Sequence, residues 1–136
     1  MIRIKRSAKS GITTLSITRG DSAYLSLGIY CGAVEDDVPY EMNEGDSIHI
    51  EVKDKPSDGE LIFTGKIEPT PNGEMCWHIY PYDTKDLKIT EYDEETGDPI
   101  INYYWDAELR TMNGDVFTFI PSSPMIIMDE TTIKED

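Results

Sequence analysis

The chain has 136 residues, 38% of them hydrophobic and 10% aromatic, the size and composition of one domain able to bury a core. Its formal net charge of −15 repels phosphate backbones and argues against nucleic acid as a partner. No apolar run reaches the length of a membrane span, and two cysteines without CxxC spacing indicate neither a disulfide framework nor a zinc knuckle.

Arg3, Lys5, Arg6 and Lys9 crowd the start, so residues 1–11 read as a basic arm. They are followed by Ser-Ala-Lys-Ser-Gly instead of an apolar signal core, which predicts synthesis and retention in a cytoplasm without secretion by a signal peptide. Residues 12–131 read as a single domain and 132–136 as a polar tail. Leu15 and Ile17 alternate with Ser16 and threonines, the period-two signature of a strand. Arg19-Gly20-Asp21-Ser22 comes next. It contains the tripeptide that adhesion receptors read, but Gly supplies permissive φ and Asp or Ser can bond nearby backbone, so the sequence predicts a hairpin corner. Leu25, Leu27 and Ile29 then alternate with Ser26 and Gly28. Ile48, Ile50 and Val52 alternate with His49, Glu51 and Lys53.

Leu61 to Ile67 and Met75 to Tyr80 are strand candidates separated by Pro69-Thr70-Pro71-Asn72-Gly73, and the expectation is a hairpin. Asp83-Thr84-Lys85-Asp86-Leu87 is the one candidate helical turn. Tyr103, Trp105, Ala107 and Leu109 alternate with Tyr104, Asp106, Glu108 and Arg110. Asn113-Gly114 predicts a type I′ turn, and Val116 to Ile120 returns. Pro121-Ser122-Ser123-Pro124 is read as a break before a last short strand, Met125 to Met128. The pattern predicts an all-β protein, an antiparallel immunoglobulin-like β-sandwich of about seven to eight strands.

Candidate chemistry is sparse. Asp106 and Glu108 share a strand face with Cβ atoms roughly 6–7 Å apart, near the spacing of paired glycosidase carboxylates, but a general acid needs desolvation and alternating strand charges normally stay solvated. His49, His78, Cys31 and Cys76 lack the close spacing of a structural zinc site, though Cys76 and His78 share a strand face. Glu91-Tyr92-Asp93-Glu94-Glu95-Thr96-Gly97-Asp98 offers hard oxygens without the EF-hand pattern. No GxSxG, phosphate-cradling loop or HExxH occurs. The expectation is a non-enzyme with no catalytic, cofactor or metal residues. Tyr80, Tyr82, Tyr92, Tyr103, Tyr104, Trp77 and Trp105 form an alternative, a platform for stacking sugar rings such as those of cell-wall polysaccharide.

The order of motifs carries a resemblance. Ile17 to Ser22 opens before an alternating strand, and a later strand ends near Lys53. Asp83-Thr84-Lys85-Asp86-Leu87 follows, then Tyr103-Tyr104-Trp105-Asp106-Ala107-Glu108-Leu109. Asn113 to Pro121 and Met125 to Met128 close the series. Over roughly residues 12–131 this resembles small phage and prophage virion proteins of Gram-positive bacteria, similar to the immunoglobulin-like N-terminal domain of baseplate upper proteins. The resemblance implies a non-catalytic structural or adaptor component of a tail or baseplate. It would be made in the bacterial cytoplasm and assembled with other virion proteins or copies of itself. Matched to the family's Tyr-x-Tyr-Asp-Ile pattern, this chain has Trp105 for Tyr and Ala107 for Ile. Residues 88–102 stand as an acidic insertion where the family has only a few residues, and a long loop on a rigid scaffold is a place for specific contacts.

Overall fold

Branched and aromatic side chains alternating with polar ones place one side of each long strand in a core and the other toward water. The computed structural model describes residues 3–4, 13–27, 29–31, 38–39, 41–70, 75–89, 91–100 and 102–129. The remainder of the expected basic arm and the polar tail at 132–136 lie outside the described residues. Among the described residues ten strands and one helical turn follow in order: β1 (Arg3–Ile4), β2 (Leu15–Thr18), β3 (Ala23–Leu27), β4 (Tyr30–Cys31), β5 (Val38–Pro39), β6 (Ser47–Lys53), β7 (Leu61–Ile67), β8 (Cys76–Ile79), α1 (Pro81–Thr84), β9 (Tyr103–Arg110) and β10 (Val116–Met128). The protein is all-β. No described helix is long and apolar enough to cross a membrane.

A five-stranded sheet runs β2-β10-β9-β6-β7, a three-stranded sheet β1-β3-β8, and β4 pairs with β5. Their inner faces share one core. Ile48, Ile50 and Val52 of β6 and Trp105, Ala107 and Leu109 of β9 meet Leu25 and Leu27 of β3 and Trp77 and Ile79 of β8. Trp77 and Trp105 stack between the sheets with ring centroids 5.7 Å apart. Burying each such side chain contributes about 1.5–3 kcal/mol. Ala107 lies in register between Ile50 and Ile120, both fully buried, which supplies the volume its own methyl lacks.

The sheets are mixed, whereas alternation predicted purely antiparallel pairing: β2 runs parallel to β10, and β1 parallel to β3. Period two reports which side chains face inward and is silent on strand direction. A second correction concerns the segments at 61–67 and 75–80, which do not form a hairpin. β7 pairs with β6, and β8 pairs with β3 in the other sheet. Gly65 accounts for the crossing, because a Cβ there would collide with Nε1 of Trp77 and lie 2.9 Å from its Cδ1. The missing side chain lets the indole of one layer seat on the backbone of the other.

The β9–β10 hairpin forms as the alternation predicts, but its turn differs from type I′. Gly114 N–H donates to Thr111 O and Thr111 N–H to Asp115 O, closing a three-residue loop with Gly114 at φ +92°. β10 also continues through the expected break at Pro121–Pro124. Register irregularities fall between Thr118 and Ile120 and between Ile120 and Ser123, so Pro121 sits where the ladder is already interrupted. Pairing with β2 begins only at Met125, just past Pro124. The first irregularity turns Phe119 and Ile120 both inward, and the buried Ser123 hydroxyl donates to Pro121 O at 2.6 Å while accepting from Thr13 N–H at 3.0 Å.

Candidate functional site

The Arg-Gly-Asp-Ser segment is a turn, as its composition predicts, with Gly20 at φ +83° and Asp21 N–H donating to Thr18 O. It is a corner between sheets instead of a hairpin, since β2 and β3 belong to different ones. Arg19 is committed to the fold: its guanidinium donates to Leu87 O at 3.0 Å and to Asp129 Oδ1 at 3.0 Å. Gly20 N–H donates to the buried Thr84 hydroxyl at 2.8 Å, tying the corner to α1. α1 overlaps the helical turn expected at Asp83–Leu87 but starts two residues earlier, at Pro81, and the Asp83 carboxylate accepts from Tyr80 N–H at 2.9 Å. An arginine held at both ends of its guanidinium by its own protein is a staple, and Asp21 and Ser22 alone point outward.

The outer face of the five-stranded sheet carries Asp106 and Glu108. In register, Glu51 lies opposite Asp106, and His49 opposite Glu108. Burial, then the neighbouring Glu51 carboxylate, pushes the Asp106 carboxyl above its ordinary value. Partial burial, with Arg110 and Lys66 nearby, holds the His49 imidazole below its own. Glu108 is engaged by Arg110, whose Nη2 and Nε reach Oε1 at 2.6 and 2.7 Å, and Lys53 lies 3.4 Å from Glu51. Glu108 is therefore ion-paired within its strand, whereas Asp106 is half-buried with the like charge of Glu51 opposite it.

The acidic segment folds on itself. Tyr92 and Pro99 bridge, Gly97 takes φ +78°, and the Asp93 carboxylate accepts from Glu95 N–H at 2.8 Å and Thr96 N–H at 3.0 Å. Those backbone bonds, Thr96 first, hold Asp93 below the usual carboxylate range. Its Oδ1 accepts both bonds and serves the turn. Among the described residues no three His, Cys, Asp or Glu side chains converge as a metal set. His49 and His78 lie on different sheets, and the Cys31 side chain falls outside the described residues.

The aromatic platform expected from sequence separates into two groups. Trp77, Trp105 and Tyr103 are core residues, at most 8% exposed. Trp105 Nε1 donates to Thr13 O at 3.0 Å, and the Tyr103 hydroxyl donates to Lys88 O at 2.9 Å. Tyr104 is half-buried, and Tyr92 is exposed on the acidic hairpin. Tyr80 and Tyr82 stack at 5.1 Å with planes 8° apart, and Tyr82 is 67% exposed. They belong to a row on the outer face of the smaller sheet, where His78 lies between Tyr80, at 3.7 Å, and Tyr24, at 4.2 Å. His78 Nε2 is buried with no hydrogen-bond partner among the described residues.

Beside this row, between β7 and β8, is a cavity of about 250 Å³ lined by Thr64, Gly65, Lys66, Trp77, His78 and Tyr82 among others. The pocket is half open, and the buried His78 Nε2 has no accessible surface in it. Sequence reasoning found Tyr80 and Tyr82 and missed Tyr24, His78 as their partner, and Gly65. The shared face of Cys76, His78 and Tyr80 was readable, but Tyr24 joins them only through the β3–β8 register. Comparison with protein-family models and with curated proteins finds no match to this chain.

Proposed function

We propose that this chain is a non-catalytic assembly module, an immunoglobulin-like β-sandwich acting as a structural or adaptor component of a phage or prophage tail or baseplate. The observation that carries this reading is the end of the β9–β10 hairpin. Met112, Val116 and Phe117 are 70%, 54% and 47% exposed, and residues 112–118 are exposed throughout. Val116 and Phe117 are consecutive on a strand and so present apolar surface on both sides of the hairpin. Such surface marks an interaction site more often than a solvated loop. β7 and β8 also end their sheets without a further strand among the described residues, which leaves backbone groups available for augmentation. The charge lattice around Asp106 and Glu108 supports a non-catalytic role, because Glu108 is held by Arg110. The test is mass spectrometry of purified induced particles. The protein is expected in them, and a folded Met112→Ser, Val116→Thr, Phe117→Ser variant is expected to be missing; absence of the unmodified protein from complete virions refutes the proposal.

A second reading, recognition of host cell-wall polysaccharide, is favoured by the exposed Tyr80–Tyr82 stack. It predicts retention of the protein on wall fractions.

A further inference from the structure

We infer that the free edge of β10 at Val116–Thr118 pairs antiparallel with the same edge of a second copy of this chain, so that Phe117 meets Phe117 of that copy on a two-fold axis. The inference rests on the assembly reading of the hairpin end and names its partner.

β2 covers only part of β10. It lies beside Met125–Met128, and Thr13 N–H, donating to the Ser123 hydroxyl, marks the start of that cover. Among the described residues no strand lies along Val116–Ile120 on that side. The ladder with β9 decides which groups face the open edge. Thr111 N–H donates to Asp115 O, a bonded pair, and antiparallel pairs alternate between bonded and non-bonded. Phe117, opposite Leu109, is thus bonded to β9. Val116, opposite Arg110, and Thr118, opposite Glu108, turn their N–H and C=O groups the other way. The irregularity between Thr118 and Ile120, and then Pro121, which has no N–H, end the usable edge.

Those outward groups select the register. Val116 of one copy exchanges both bonds with Thr118 of the other, and the two-fold axis repeats the exchange. Phe117 then faces its own copy as a non-bonded pair, where Cα atoms approach to about 4.5 Å and side chains lie closest. The side chains agree with this register. Phe117 shares the core side of the sheet with the buried Leu109 opposite it, yet is 47% exposed, and a second ring there extends the core beyond its own end. Charge favours a second copy as the occupant. Val116–Met128 holds no Asp, Glu, Lys or Arg in a chain that is 29% charged with a net charge of −15, so two copies pair along it without like charges in the ladder. The contact is isologous and closes at the dimer.

A strand pair this short buries less than the ~1,200 Å² of stable interfaces, so association is weak. Sedimentation equilibrium of the full chain from about 10 μM to 1 mM is expected to show monomer and dimer in exchange. Phe117→Ser should weaken dimerisation roughly tenfold or more. Thr118→Pro, which removes an edge-facing N–H and spares the β9 ladder, should do the same. Under oxidising conditions Phe117→Cys should link to its own copy fastest, because only this position faces itself across the axis; Val116→Cys and Thr118→Cys should lag, with the joined peptide identified by mass spectrometry. Monomer at every concentration, a dimer retained by folded Phe117→Ser and Thr118→Pro, or fastest linkage at position 116 or 118 overturns the inference. Protein that is monomeric in solution yet present in virions refutes this edge pairing alone and leaves the assembly role standing. A dimer formed by a protein absent from virions supports the pairing and removes the virion role.

Discussion

Across β6 and β9 the outer face of the larger sheet sets Glu51 opposite Asp106 and His49 opposite Glu108, whereas across β3 and β8 the outer face of the smaller sheet sets Tyr24 opposite His78. Both arise from the same alternation of inward apolar and outward polar residues. On the first, Glu51 and Glu108 each have a cationic neighbour, whereas Asp106 faces the like charge of Glu51, and such exposed pairs are worth little to stability. On the second, rings cover one another and strand a nitrogen beneath them. On the second face His78 Nε2 has no hydrogen-bond partner among the described residues.

Four substitutions break or sharpen that contrast. The largest effect is expected from Gly65→Val, which drives a side chain into Trp77 and should cost about 1–3 kcal/mol or more in urea unfolding. An unchanged midpoint would mean that the indole does not rest on Gly65. Next, His78→Phe replaces an unsatisfied buried nitrogen by carbon and should raise stability by about 1 kcal/mol. A clear loss of stability would show that Nε2 is already bonded.

Asp106→Asn should act on the charged face by about 0.2–1 kcal/mol, the scale of like charges directly opposed across strands and screened by solvent. The sign follows from the raised carboxyl pKa of the folded protein. Asp106 supports the fold fully below its unfolded pKa of about 3.9 and loses that contribution as pH rises through the folded value. The Asn variant should therefore be the more stable near neutral pH, with the advantage disappearing below about pH 4; a difference independent of pH would refute this cause. The smallest effect is expected for Tyr82→Ala. At an exposed position it should change stability by no more than about 0.5 kcal/mol, and a larger loss in thermal unfolding would make Tyr82 structural.

Much of the fold was legible where side chains dictate it. Alternation located β6 and β9 because Ile48, Ile50 and Val52, and Trp105, Ala107 and Leu109, must all leave water together. Asn113-Gly114 located a hairpin loop because φ +92° suits a residue without Cβ. What alternation does not encode is partnership. Nothing in Met75 to Tyr80 says that it pairs with Ala23 to Leu27 across some fifty residues instead of with its neighbour, and Gly65 disclosed its reason only beside Trp77. Pro121 and Pro124 misled because their missing donors fall outside regular ladder positions. The candidate site was half legible for the same reason. Tyr80 and Tyr82 were visible as aromatics, but their neighbours come from strand register.

The parallel pairing of β2 with β10 has a kinetic consequence. It joins segments whose bonded residues, such as Arg19 and Asp129, are 110 positions apart, so closing that ladder carries the loop entropy of nearly the whole chain. A ribosome adds about 5–20 residues per second. β2 therefore waits for several seconds with Leu15 and Ile17 unpaired while the intervening strands are made. The five-stranded sheet is completed late, by β10, which joins β2 on one side and β9 on the other. During that interval the nascent chain carries an open apolar strand, and its yield should depend on how quickly the last strand arrives.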